Sequence, residues 1–389
     1  NMTEKTSVEK AWKAYLNKIE PADRTAMELA KKRWNSVAKP IGSLGILEED
    51  IIKIAGIRGN ASGMKLDRSA LAVMCADHGV VAEGVSQTSK DVTRIVAENF
   101  TKGETSTSKM CRISGTDLYP VDMGMDCGPT GQKEPDMHRI LDRKVARGSG
   151  NIAREPAMSR TGCLQALLSG IDLAFRLKEK GYEILAAGEM GIGNTTPAAA
   201  MSAVLTGLPP EEATGRGAGL SDAGLEKKKK AVEMAVSRFY EEYPEYRNGT
   251  KEQYESGELS AVTVLAELGG FDLAGMTGLF LGGAAAKIPV LMDGFLSTVS
   301  GLLAVLIRKE AKDYMLASHI STEPAGAAIL QMLDLPAPLH MGMHLGEGSG
   351  AVAMIPLLRM GAKVYEEMST FSDISVEQYV DYQEKGEQP

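Results

Sequence analysis

The sequence predicts an α/β protein whose parallel sheet is covered by helices on both faces. Three observations carry the prediction. Short apolar runs alternate with helical segments along the chain. Each run ends in a polar or glycine-rich cluster, at the edge where open parallel sheets hold their ligands. Glycine is in excess, 42 of 389 residues, while aromatic residues are only 5%. That bias points to tight turns and close backbone approach to a ligand.

Taken in order, residues 4–60 read as helices. Within them, Ile46, Leu47, Ile51, Ile54 and Ile57 recur at helical spacing. The run 69–75, ended by Asp77-His78-Gly79, reads as a buried strand. Runs 117–121, 183–187, 288–292 and 314–317 repeat the form, each followed by a polar or glycine cluster. Helices are expected at 91–113, 159–180, 224–242, 258–268 and 297–309. Segment 240–256 is polar, carries Pro244 and Gly249, and reads as a surface loop. The N-terminal helices and 355–380 fall outside the alternation and could form a second helical layer.

Composition excludes several classes. The length suggests two domains, or one large domain with additions. The net charge of −8, from 43 basic and 51 acidic side chains, argues against general nucleic-acid binding. Cys75, Cys111, Cys127 and Cys163 form no CxxC pair, so zinc-ribbon and thioredoxin-like motifs are missing. Scattered cysteines suit a reducing cytoplasm. Residues 1–21 are charged throughout and read as no signal peptide. The most membrane-like stretch, 273–307, is interrupted by Lys287, Pro289 and Asp293 and reads as buried core, not as a span.

Three motifs could carry chemistry. GEMGIGNTTPAAAM (188–201) runs from a strand through glycines into a helix that Asn194 or a threonine can cap. Such a helix start binds anions, although an ordinary tight turn would look the same. GRGAGLSDAGLEKKKKAV (215–232) is a glycine-rich loop entering a helix with lysines 227–230, of which at most one or two can reach a ligand. In LGEGSGAVAM (345–354), Glu347 stands between glycines. There it could serve as a general base in a dry pocket, or as a carboxylate favoured by a helix dipole. His340 and His344 (HMGMH) are spaced as a possible metal pair, but Gly342 weakens the helix this needs. His78 and His319 follow strand ends, either as ligand contacts or as satisfied turn residues. Asp77, Asp122, Asp126 and Asp293 have no recognised metal-loop spacing, and Ser86 and Cys75 lack a nucleophile elbow.

Taken together, these segments resemble the nicotinate-nucleotide:dimethylbenzimidazole phosphoribosyltransferases of cobamide (vitamin B12) assembly. The resemblance rests on KPIGSLGILE (39–48), CADHGVVAEGVS (75–86), ARGSGNIAREPAMS (146–159) and GEMGIGNTTPAAAM (188–201). It continues through GGFDLAGMTG (269–278), PVLMDGFLS (289–297), SHISTE (318–323) and LGEGSGA (345–351). It implies a Rossmann-like parallel sheet in a large domain, 60–354, and a small helical domain from the chain ends, 1–59 and 355–389. It implies a dimer, and transfer of phosphoribose from nicotinate mononucleotide to a lower-ligand base, with inversion to an α-ribotide and release of nicotinate. It implies no metal and no organic cofactor, no nucleic-acid or membrane partner, and a cytoplasmic enzyme.

By matching position, the resemblance assigns Glu347 as the catalytic base. Glu189, Gly191, Gly217, Lys228, Asp293, Gly294, Ser321 and Gly346 would bind the nucleotide, with Lys228 meeting its phosphate. Thr88, Val96, Met190 and Leu345 would face the acceptor. Thr88 and Val96 stand where better-known members carry Ser and Gln, so the pocket is expected to be more apolar. The acceptor is then 5,6-dimethylbenzimidazole, a related base or a phenol, since some members use phenol or p-cresol; some of those act as heterodimers, so a homodimer is expected here with a heterodimer as the alternative. His344 replaces the Arg usual before LGEG. The competing readings are a non-catalytic partner subunit and a dinucleotide oxidoreductase. The first is opposed by intact Glu347, Glu189 and Lys228. The second would need a GxGxxG motif followed by an acidic residue, a combination the chain lacks.

Overall fold

The computed structural model describes residues 2–382, so residues 1 and 383–389 of the expected helical domain lie outside the described residues. The sheet has six strands: β1 (Ser69–Ala76), β2 (Thr116–Gly124), β3 (Leu141–Asp142), β4 (Ile184–Met190), β5 (Val290–Leu291) and β6 (Met315–Leu316). Their order is β3-β2-β1-β4-β5-β6, and every pairing is parallel. The five expected strands are all present, the last two shortened to two residues each. β3 was not expected, because a two-residue strand gives no periodicity to read.

β1 is buried along its whole length, and its side chains alternate between two cores. Ala70, Ala72, Met74 and Ala76 join one, and Leu71, Val73 and Cys75 the other. The first core is closed by helices Arg160–Glu179, Thr195–Thr206, Asp222–Glu242, Phe271–Ala286 and Phe295–Ile307. The second is closed by Arg24–Ser36, Ile46–Arg58, Asp91–Thr101, Ser106–Ser114 and Ser349–Glu367. Helices from the chain ends thus complete the cover of the sheet and share its cores. The boundary expected at 354 falls inside helix Ser349–Glu367.

The 273–307 stretch forms two buried helices, and no described helix is long and apolar enough to cross a membrane. Phe271–Ala286 is apolar all round because it is covered on every side. It lies so close to Arg160–Glu179 that a Cβ at Gly278 would meet the Leu167 carbonyl oxygen at 2.1 Å, and one at Gly170 the Gly275 carbonyl oxygen at 2.2 Å.

Two local expectations are corrected. The helix expected at 91–113 is broken at 102–105, where Gly103 has φ +71° and Thr105 caps a new helix through the Ser108 amide. Segment 240–256 is not a plain surface loop. It holds a 3₁₀ turn, Pro244–Tyr246, and a short helix, Lys251–Glu255. Tyr246 and Tyr254 are buried there, with Tyr246 packing edge-to-face on Phe239 at 5.1 Å between ring centroids. The polar residues of the segment had masked its tyrosines.

Candidate active site

Successive strands are added to one side of β1 as far as β3 and to its other side from β4 onward, and the crevice beyond such a switch point is where open parallel sheets bind ligands. A cleft of about 330 Å³ lies there. Its walls come from the loop after β1 (Val85–Thr88), the end of β4 and the following turn (Glu189–Thr195), and the loop at Arg216–Leu220. The ends of β5 and β6 and the turn His344–Glu347 complete it. Of the expected site residues, Glu347, Glu189, Gly191, Gly217, Asp293, Gly294, Ser321, Gly346, Thr88, Met190 and Leu345 all border this one cleft.

Glu347 sits in a turn where three successive residues have positive φ: Gly346 (+83°), Glu347 (+59°) and Gly348 (+80°). For a residue with a Cβ this conformation costs about 1–2 kcal/mol. Its carboxylate Oε2 accepts a hydrogen bond of 3.1 Å from Thr107 Oγ1. Burial raises the Glu347 carboxyl above the ordinary glutamate range, against the Thr107 hydroxyl and with help from the Asp293 charge. A half-buried carboxylate whose proton affinity is raised in this way can take a proton from an acceptor. The 347–348 peptide lies directly on β4, where a Cβ at Gly188 would meet the Glu347 carbonyl carbon and oxygen at 2.9 Å.

Behind Glu347 runs a buried polar chain. Glu189 Oε1 accepts from the Glu347 amide at 3.3 Å, and Glu189 Oε2 accepts from Asn194 Nδ2. Asn194 Nδ2 also donates to Asp272 Oδ2 at 3.1 Å, and Asp272 Oδ1 lies 2.9 Å from His78 Nε2. Asn194 therefore does not cap the helix Thr195–Thr206; its side chain is taken by two carboxylates. Burial pushes the Glu189 carboxyl up to about 8; Asn194 opposes the rise and Asp272 and Asp293 add to it.

The unfolded chain releases this proton near 4.5, so the folded Glu189 holds a proton that the unfolded one has lost between about pH 4.5 and 8. The stability this contributes is full below that window and lost as pH rises through about 8. In the ligand-free protein, the melting temperature is expected to fall with rising pH more steeply for the wild type than for Glu189→Gln, which cannot ionise. Equal slopes in thermal unfolding across the window would contradict the assignment.

Two expected residues stand elsewhere. Lys228 does not border the cleft. It is fully buried, and its Nζ donates to Thr195 Oγ1 at 2.7 Å and to the Gly215 carbonyl at 2.8 Å, pinning the glycine loop to the helix after β4. Burial lowers its ammonium to about 8. Val96 lies on the flank of helix Asp91–Thr101, against the second core, because Thr93, Ala97 and Phe100 take the inward face.

The cationic side chain that does border the cleft is Arg216, which the sequence did not single out. Glu323, also missed, accepts from the Gly217 amide at 3.0 Å and anchors the same loop. Asp272 carried a legible signal, a carboxylate at the start of an otherwise apolar helix. Thr107 carried none. Of the two strand-end histidines, His319 borders the cleft and His78 lies buried behind it. His340 and His344 fall in an irregular stretch, so their spacing places no pair on a helix face. Among the described residues, no group of three or more His, Cys, Asp or Glu side chains is gathered to hold a metal.

Comparison with known proteins decides the family. A family model described as phosphoribosyltransferase matches residues 19–376. The chain belongs to this phosphoribosyltransferase family. Similar members include the nicotinate-nucleotide–dimethylbenzimidazole phosphoribosyltransferase of Ruminiclostridium cellulolyticum, 38% identical over 94% of this chain and 97% of its own length. The enzyme of the same name from Acetivibrio thermocellus is 39% identical over 91% of this chain and 94% of its own. The crystal structure of CobT from Thermus thermophilus superposes with a TM-score of 0.81 at 37% identity, covering 91% of this chain and 100% of that one. The cleft at the β1/β4 switch point is therefore the candidate active site of a phosphoribosyltransferase, and the α/β fold read from the sequence is that of the family.

Proposed function

We propose that the chain transfers the phosphoribosyl group of nicotinate mononucleotide to 5,6-dimethylbenzimidazole, yielding an α-ribotide and nicotinate. The observation that carries this reading is the position of Glu347, a carboxylate of raised proton affinity held between an apolar wall and a glycine-lined cradle.

In the proposed arrangement the mononucleotide lies against Gly191, Gly217, Gly294, Ser321 and Gly346. Arg216 and the start of helix Thr195–Thr206 face its phosphate. The acceptor lies beside Thr88, Met190 and Leu345. Its ring nitrogen attacks the anomeric carbon from the face opposite the pyridinium. The bond to the pyridinium nitrogen breaks, and its electron pair neutralises that nitrogen, so the leaving group needs no proton. The acceptor's N–H proton passes to Glu347 and then to solvent. Glu189, protonated up to about pH 8, adds no second negative charge beside Glu347.

The reading extends to a homodimer working in the cytoplasm. It also leaves room for phenolic acceptors, since the Met190 and Leu345 side chains beside the acceptor are apolar. The purified chain alone, given nicotinate mononucleotide and a panel of benzimidazoles and phenols, is expected to release nicotinate with at least the benzimidazoles. Release with phenols only would replace the acceptor, and release only after a second chain is added would replace the homodimer.

A further inference from the structure

We infer that Asp293 is a positioning residue for Glu347: it caps, from a different part of the chain, the helix that follows directly on the turn carrying the catalytic carboxylate. Helix Ser349–Glu367 begins after Gly348, which has no side chain to accept from the first amides. Asp293 supplies both missing acceptors. Its Oδ2 accepts from the Gly348 amide at 2.9 Å and its Oδ1 from the Gly350 amide at 2.7 Å. Asp293 is buried, and its own amide donates to Ser297 Oγ at 3.0 Å, which fixes it at the end of β5. His319 Nε2 stands 3.3 Å from Oδ1 and supports the carboxylate from β6.

The geometry is needed because the turn is strained. Glu347 lies in the left-handed region between two glycines in the same region; the Ser349 amide closes the turn on the Gly346 carbonyl at 3.0 Å, and the other bonds that hold its backbone come from the distant Glu189 and Asp293. The space is closed around the lock as well. A Cβ at Gly350 would fall 1.9 Å from His319 Cδ2, and one at Gly346 2.4 Å from Glu189 Oε1. Both Asp293 oxygens are thus engaged by backbone amides. This side chain acts on the reaction through Glu347 and not by holding the ribose, as position alone would suggest.

The inference rests on Glu347 being the base, and its test separates the two. Asp293→Ala, Asp293→Asn and Glu347→Gln are compared for nicotinate mononucleotide affinity by calorimetry, for single-turnover nicotinate release, and for amide exchange at Gly348 and Gly350. For Asp293→Ala, release is expected to slow about 100-fold, the cost of misplacing a catalytic group by about 1 Å. Mononucleotide affinity should stay within about twofold, and both amides should lose protection while the β4 amides keep theirs. Asp293→Asn retains one acceptor, should lose less, and serves if the alanine variant does not fold. Weakened affinity with both amides still protected would overturn the inference, as would exposed amides with full activity. Full activity of Glu347→Gln would instead overturn the base assignment, while the exchange data still report on the lock.

Discussion

Glu347→Gln is expected to lower turnover by about 10²–10⁴-fold, while nicotinate mononucleotide binds with nearly unchanged affinity. The substitution removes the proton acceptor and little else. Glutamine keeps the length of the side chain, and its amide oxygen can still accept from Thr107 Oγ1. The strained backbone at φ +59° is held by Asp293 and β4, not by the carboxylate itself. Steady-state kinetics with dimethylbenzimidazole would therefore show a fall in kcat with little change in KM for the nucleotide. A variant with near-full activity would remove Glu347 from the chemistry.

Gly278→Ala is expected to destabilise the fold by about 1–3 kcal/mol. The added Cβ meets only backbone: the Leu167 carbonyl oxygen at 2.1 Å, its carbon at 2.9 Å and its Cα at 3.0 Å. No rotamer can relieve that contact, so helices Phe271–Ala286 and Arg160–Glu179 must move apart. The movement would reach the site, because the first turn of Phe271–Ala286 carries Asp272, whose carboxylate meets Asn194 and His78. Gly128→Ala is the control. A Cβ there meets nothing within 4 Å, and its urea midpoint should match the wild type. Equal midpoints for Gly278→Ala and the wild type would contradict the close helix packing.

The sheet was legible because each strand is a short apolar run that stops at a polar cluster, and those clusters converge on one edge by the rules of parallel sheets. The glycine turns at 188–193, 215–219 and 346–348 were legible for a related reason: backbone close to a ligand, or to another strand, leaves no room for Cβ. What was hidden depends on direction and distance. Lys228 and Val96 lie on the expected helices, but the sequence does not say which way each points within a turn. Thr107 reaches Glu347 across 240 positions, and Asn194 reaches Asp272 across 78, so neither pairing leaves a local pattern. The aromatic packing of 240–256 was concealed by polar neighbours that face solvent.

The most direct test is to follow the chain, supplied with nicotinate mononucleotide and 5,6-dimethylbenzimidazole, by proton NMR of the anomeric position. Nicotinate and an α-ribotide appearing in equal amounts would be the expected result, since attack opposite the leaving pyridinium inverts the anomeric carbon. A β-ribotide, or no nicotinate released with any aromatic base or phenol, would contradict it.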